Sequence, residues 1–295
     1  MTRRRPARRP SGSARRVGGA RPPRADLHSH SLRSDGAHPA EQVLAQALAA
    51  GLTLFALTDH DVEPALPAGR HEAGGEALHL VHGAEVSGLY AGRELHLLVY
   101  FPGEMPDAFR AFLRGRCAAR AARYDAAAAV LGLAPAPAEA HTGARAMTRH
   151  HLAQALVAAR RAPTIDAAFR GALQVGDAVP FVDLRMEDAI ATARAAGGLP
   201  VWAHPSEGDV ERHLDALVDA GLVGIEALRP SLTEVAQERL SREAVRRGLI
   251  ITAGSDCHGH GQQRLGRFSA RPGPLRGFLE RLGLQPSVEG WEPAA

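Results

Sequence analysis

The stretch AEQVLAQALAAG (residues 40–51), running straight into LTLFALTDH (52–60), sets the architecture of this chain. An amphipathic Ala-rich helix, a glycine and an apolar strand follow one another, and the same unit returns three times. It reads EDAIATARAAGG into LPVWAHP (187–205), ERHLDALVDAG into LVGIEAL (211–228), and TEVAQERLSREAVRRG into LIITAGSDCH (233–258). Glycine adopts the left-handed conformation that ends a helix at little cost, so Gly51, Gly197, Gly221 and Gly248 read as helix stops. Short apolar runs alternating with helices predict an α/β chain with a mostly parallel sheet. With ADLHSH (25–30), LHLVHGAEVS (78–87) and ELHLLVYF (94–101) added to the four repeats, the strand count is seven.

Between about Pro102 and Val182 this rhythm breaks. The segment is helical and rich in Ala and Arg, with no run long enough to extend the sheet, so residues 102–182 read as a helical cap inserted between two barrel segments, 26–101 and 183–295. Arginines 110, 114, 116, 120 and 123 either line a phosphate-binding surface or form a solvated helix face, and the solvated face is the commoner outcome. Residues 1–25 carry nine arginines and no acid, which leaves 26 basic against 32 acidic residues in the rest of the chain. A segment so poor in large apolar residues predicts disorder, nonspecific attraction to polyanions, and a stability unchanged by its removal. No apolar run approaches membrane-spanning length and the start lacks a secretory apolar stretch, so neither a membrane nor export is expected. Two cysteines, Cys117 and Cys257, make no disulfide framework, in keeping with a reducing cytoplasm.

The chemistry is written at the ends of the apolar runs. DLHSHSLRSDG (26–36), LTDHD (57–61), GAEVSG (83–88), ELHLLVY (94–100), VWAHPSE (201–207) and AGSDCHGH (253–260) carry nine residues of metal-binding type: His28, His30, Asp35, His60, Glu85, His96, His204, Asp256 and His258. Residues two apart on an extended strand share a side, so His28 can pair with His30 and Asp256 with His258. Mixed imidazole and carboxylate ligands suit divalent transition metals, and nine are too many for one ion. A closed structural zinc site is excluded, because neither cysteine has a partner at ligand spacing. The nucleophile candidates Ser29, Ser87 and Cys257 are set aside, Cys257 as a core residue. Among the other histidines, His38, His71, His79, His141, His213 and His260 are expected in loops or on polar faces, and His82 in the core or as a support for a ligand. Asp59 and Asp61 either orient His60 or cap the turn around it.

The ordered words HSHSLRSDG, LTDHD, GAEVS, the step from Glu85 to His96, TRHHLAQAL, AHP and GSDCH resemble the PHP (polymerase and histidinol phosphatase) superfamily over about Asp26 to Leu265. Within it the chain is most similar to the branch of 3′,5′-nucleotide bisphosphate phosphatases and 5′-to-3′ exoribonucleases. That resemblance implies a distorted seven-stranded (βα) barrel with an inserted helical cap, and metal-dependent hydrolysis of phosphate esters. It implies three divalent ions per chain, Mn²⁺ foremost, with Fe²⁺, Zn²⁺ or Mg²⁺ as alternatives. His28, His30, Glu85 and Asp256 would hold one ion, with Glu85 bridging to a second held by His96 and His204. Asp35, His60 and His258 would hold the third. Glu85, Asp256 and His204 count as catalytic, and Arg149 and His151 as the residues that bind substrate phosphate. Where the family often reads Thr-Arg-Pro-His, this chain has Thr148-Arg149-His150-His151, a change confined to loop geometry. Ions about 3.5–4 Å apart acidify water and neutralise phosphoryl oxygens, so no protein nucleophile is required. The implied substrates are small nucleotides such as 3′,5′-bisphosphates, or the 5′ ends of short RNA. A histidinol-phosphate phosphatase and a noncatalytic metal-dependent nucleic-acid-binding protein are the alternatives.

Overall fold

Strand β1 (Ala25–Asp26) leads through a loop into helix α1 (Ala40–Ala49), which ends before Gly51 and delivers strand β2 (Leu54–Leu57). The computed structural model describes residues 22–287 and 290–293. Strands β3 (Gly69–Ala73), β4 (Glu76–Tyr90) and β5 (Arg93–Phe101) follow without intervening helices. After the helical segment, α6 (Met186–Ala195) leads to β6 (Leu199–Trp202), α7 (Glu207–Asp219) to β7 (Gly224–Leu228), and α8 (Glu234–Arg246) to β8 (Ile250–Ala253). The four glycines read as helix stops all take positive φ, from 68° to 105°.

The principal sheet runs β1-β2-β4-β5-β6-β7-β8, the seven strands expected, with β3 pairing outside that path onto β4. Four neighbouring pairs are parallel, and the two that involve β5 are antiparallel. The reversal has a local cause: β4 and β5 are joined by Ala91-Gly92, both with positive φ, the two-residue hairpin turn whose twist matches the strands. Beyond β1 and β8 the backbones stay together. Leu27 N–H donates to Ala253 O, Asp256 N–H to His28 O, and His30 N–H to Cys257 O, so the sheet nearly closes into a barrel at that end. Two further elements were not foreseen: β3, which is polar and half exposed, and a small antiparallel pair, β9 (Leu284–Ser287) with β10 (Gly290–Pro293), after α9 (Arg276–Leu282).

Residues 102–182 carry helices α2 (Asp107–Val130), α3 (Ala138–His141), α4 (Arg149–Ala158) and α5 (Ile165–Arg170). They enclose an apolar cluster of their own that includes Tyr124, Leu131, Met147, Leu152, Leu156 and Leu173. Helix α2 belongs to both bodies, because Phe109 and Leu113 in its first half pack in the barrel cluster with Leu97, Val99, Trp202 and Ile225.

The Arg-rich segment expected to be disordered lies, through residue 21, outside the described residues, as does its expected contact with polyanions. Its end is different. Arg24 donates to Ala50 O at 2.8 Å, Gly266 O at 2.7 Å and Ser269 Oγ at 2.9 Å, and Ala25 is a buried β1 residue. The boundary at residue 25 is therefore corrected, and removing 1–25 would strip an anchor from the barrel. Arg24→Ala should destabilise the fold by roughly 1–3 kcal/mol, since half-buried carbonyls lose a charged donor. Urea unfolding measures it, and an unchanged midpoint would show the anchor to be idle.

Candidate metal centre

All nine predicted residues converge at the carboxyl-terminal end of the sheet. Glu85, on β4, is 1% exposed and sits at the middle. Its Oε2 lies 3.2 Å from His28 Nε2, 3.3 Å from His30 Nε2 and 3.1 Å from His60 Nδ1. Its Oε1 lies 3.0 Å from His96 Nδ1 and 3.1 Å from His204 Nε2. Asp256 Oδ1 is 3.2 Å from His30 Nε2 and 3.5 Å from His28 Nε2, while Asp35 Oδ1 is 3.3 Å from His258 Nε2. Five imidazoles on one carboxylate exceed its roughly four lone-pair directions, so hydrogen bonding alone does not account for the cluster.

Three groups have ligand atoms mutually within 4.8 Å: His28, His30 and Asp256; His60, Glu85 and His96; and His30, Asp35, His60 and His258. His60 thus stands between two groups, and His204 belongs to none of them while touching both Glu85 and His96. Buried His28 Nε2, His60 Nδ1 and Asp35 Oδ1 have no partner of good hydrogen-bond geometry. Orphaned lone pairs converging from different strands are what a cation site requires, so the residues fit divalent metal. Burial pushes the Glu85 carboxyl up, but His60, His28 and His96 outweigh it and hold it well below the usual range. Asp35 is held low in the same way, against burial, by His60, His258 and His30.

Local backbone delivers these groups in different ways. His28 and His30 follow β1 on extended chain and share a side, as expected. Asp256 does not: its φ is 52°, and His204 has φ 37°, so both side chains are aimed by left-handed backbone. Non-glycine residues pay for that conformation, and it persists where the surroundings fix it. Asp61, φ 46°, is a third case beside the site.

The supporting carboxylates were less visible in sequence. Glu226 on β7 is fully buried; its Oε1 lies 3.0 Å from His28 Nδ1, and its Oε2 accepts His204 N–H at 2.9 Å. With Nδ1 donating, Nε2 of His28 faces the cluster as a lone pair. Gly254 makes this approach possible, because a Cβ there would stand 2.2 Å from His28 Cβ and 2.4 Å from Glu226 Oε1. The only signal for Glu226 was an acid inside the otherwise apolar run LVGIEAL. Asp59 accepts from Ser31 N–H, Ser31 Oγ and Ser34 Oγ and so holds the loop that carries Asp35. Asp61 accepts from Ser87 N–H and pairs with Arg120 at 2.6 Å. His82 is bound to Leu66 O and Met105 N–H, away from the cluster, and Cys257 is buried.

Arginines of α2 are engaged with acids: Arg110 with Glu104, Arg114 with Glu63, Arg116 with Asp183, Arg120 with Asp61, and Arg123 with both oxygens of Glu94. Arg149 differs. It lies 5.6 Å over the Phe169 ring and has no ion pair or hydrogen-bond partner among the described residues. It lines a cavity of about 210 Å³ with Asp35, His60, His96 and His258 on the floor and Phe169 and His150 in the wall. His151, the other expected phosphate contact, lies outside this lining and is turned into the start of α4. Thr148 N–H donates to its Nδ1 at 3.0 Å, Arg145 Nη2 is 3.0 Å from its Nε2, and burial together with Arg145 pushes it down to about 4. His150 takes the cavity position instead, stacked at 4.7 Å on His260, whose Nε2 lies 2.7 Å from Asp35 O.

Comparison with known proteins agrees with this geometry. A model of the PHP domain matches residues 26–150. The phosphoribosyl 1,2-cyclic phosphate 1,2-diphosphodiesterase of Eggerthella lenta is 33% identical over 79% of this chain and 94% of that protein. The chain belongs to the PHP family. The 5′-3′ exoribonuclease Rnm of Salmonella typhimurium is 34% identical over 90% of this chain and 92% of its own, and the 3′,5′-nucleoside bisphosphate phosphatase of Chromobacterium violaceum 30% identical over 80% and 88%. This PHP protein is a metal-dependent phosphoric ester hydrolase on a nearly closed seven-strand barrel. No described helix is long and apolar enough to cross a membrane.

Glu226→Gln should weaken divalent-metal affinity by about 10- to 100-fold while the fold survives, because the amide holds His28 without the carboxylate's charge. Isothermal titration with Mn²⁺ measures it, and wild-type affinity in the variant would remove Glu226 from the site.

Proposed function

We propose that this PHP protein hydrolyses phosphate esters of small nucleotides, 3′,5′-bisphosphates or the 5′ ends of short RNA, with its nine-residue cluster as a three-ion centre for Mn²⁺. The observation that carries the reading is Arg149, an unpaired guanidinium over a cavity whose floor is Asp35, His60, His96 and His258. A guanidinium matches phosphate oxygens bidentately. The relatives named for bisphosphate and exoribonuclease activity support the substrate class.

In this reading His28, His30, Glu85 and Asp256 would hold one ion, Glu85, His96 and His204 a second, and Asp35, His60 and His258 the third. When bound, the ions would supply an acidified water and neutralise phosphoryl charge. The protein contributes the rest. Glu226 and Asp59 fix the ligands, and the segment 102–182 acts as a cap, tied down where Arg120 meets Asp61 and Ser87 of the barrel rim. Arg149 orients phosphate from that cap, while Phe169 and His150 narrow the entrance. His151 acts on substrate only through the start of α4. The unpaired buried cysteines are in keeping with a cytoplasmic location.

Arg149→Ala should lower kcat/KM on a 3′,5′-bisphosphate nucleotide by roughly 10- to 100-fold with metal content unchanged. His151→Ala should cost about 1 kcal/mol of stability, as loss of a helix cap does, without moving the pH profile. Running both variants on pAp, 5′-phosphorylated RNA, histidinol phosphate and phosphoribosyl 1,2-cyclic phosphate tests the substrate class together with the residues. Turnover confined to either of the last two would refute the nucleotide assignment, and a kinetically silent Arg149→Ala would refute its role.

A further inference from the structure

A second cavity, about 480 Å³, opens at the same end of the sheet as the metal ligands. Pro230, just past β7, and Ser255 and Cys257, just past β8, form one side, and the loop carrying Gln263, Arg264, Arg267 and Phe268 forms the other. Ser255 and Cys257 flank Asp256, so the ligand faces the metal cluster while its two neighbours line the second cavity. The loop is fastened to the centre as well: His258 N–H donates to Gln263 Oε1 at 3.0 Å. His258 lines the smaller cavity and Gln263 the larger, so this one loop separates them.

The chemistry of the lining is specific. It contains two arginines and no acid. Arg264 donates only to carbonyls of its own loop, Gly261 and Gln263, and the Arg267 side chain has no hydrogen bond or ion pair among the described residues. That contrasts with α2, where each arginine meets a carboxylate. Phe268 supplies an aromatic ring backed by the apolar cluster of Leu275 and Phe278, and Gln262 and Gln263 supply amides. An aromatic surface beside unpaired arginines is the combination that binds single-stranded nucleic acid, with the base stacked and the backbone phosphate neutralised.

We propose that this cavity receives the second nucleotide of an RNA strand whose terminal phosphoester lies at the metal centre, with its base on Phe268 and its phosphate on Arg264 and Arg267. The inference rests on the phosphoesterase reading above and extends it: a mononucleotide fills only the capped cavity, whereas a strand uses both. Arg267 is exposed, so its replacement leaves the fold intact.

The test compares wild type and Arg267→Ala with Mn²⁺ present, using a fluorescent 5′-phosphorylated RNA trinucleotide and a fluorescent 3′,5′-bisphosphate mononucleotide. Fluorescence anisotropy gives Kd and initial rates give KM. Arg267→Ala should weaken the trinucleotide about tenfold more than the mononucleotide in both measures, and the gap should narrow with added salt. Phe268→Leu should add a loss for the trinucleotide that salt does not change. Equal effects on the two ligands, or no effect on either, would overturn the second subsite. Binding is read separately from turnover. If wild type binds the trinucleotide without cleaving it, the phosphoesterase reading fails on its own, and the anisotropy ratio still decides the subsite.

Discussion

Burying a carboxylate costs several kcal/mol unless charge or donors compensate it, and Glu85 is almost wholly buried with five imidazole nitrogens within 3.3 Å. That concentration of lone pairs is the constraint on which the rest of the structure depends. Histidines from four separate parts of the chain have to arrive at one point, so the ends of β1, β2 and β6 and the start of β5 must lie level with one another around β4. The left-handed backbone at His204 and Asp256 is the local strain this convergence imposes. Glu226 reaches across the barrel to His28 only because Gly254 leaves room for it. Bound metal would turn this otherwise unfavourable cluster into a stabilising one, since buried His28 Nε2, His60 Nδ1 and Asp35 Oδ1 have no other partner of good geometry.

The helical segment 102–182 repeats the same electrostatic logic with opposite sign. Its first helix spends its arginines on acids, and two of those pairs, Arg120 with Asp61 and Arg123 with Glu94, stand at the edge of the metal cavity. Against burial, the Arg123 bonds hold the Glu94 carboxyl down to about 2, so the pair stays ionic and ties α2 to β5. Arg149 is left without such a partner among the described residues, and the proposed function gives it a phosphate ester. Burial pushes the Arg149 guanidinium down from its usual value.

Much of this was legible in the chain. Polar residues at the ends of apolar runs are conspicuous, so the nine residues that converge around Glu85 and the seven strands could be read from local pattern. The rest of the site depends on long-range or nonperiodic contacts. Glu226 meets His28 across 198 residues of sequence, and no local signal announces such a contact. Asp256 and His258 were expected to share a face by strand alternation, but a left-handed turn brings them together. His260 was placed on an indifferent loop, yet it stacks on His150 at the cavity wall. Strand β3 was missed because its residues are polar and half exposed, and the role of Arg24 because its partners lie in loops at residues 50, 266 and 269.

The central claim is that the residues around Glu85 are a polynuclear metal centre. Anomalous diffraction collected at the manganese edge, from crystals equilibrated with Mn²⁺, addresses it directly. The account predicts three anomalous peaks, each within coordination distance of one ligand set: His28, His30, Glu85 and Asp256; Glu85, His96 and His204; and Asp35, His60 and His258. A map with no peak at Glu85, or with manganese bound elsewhere while the nine side chains keep their present contacts, would contradict it.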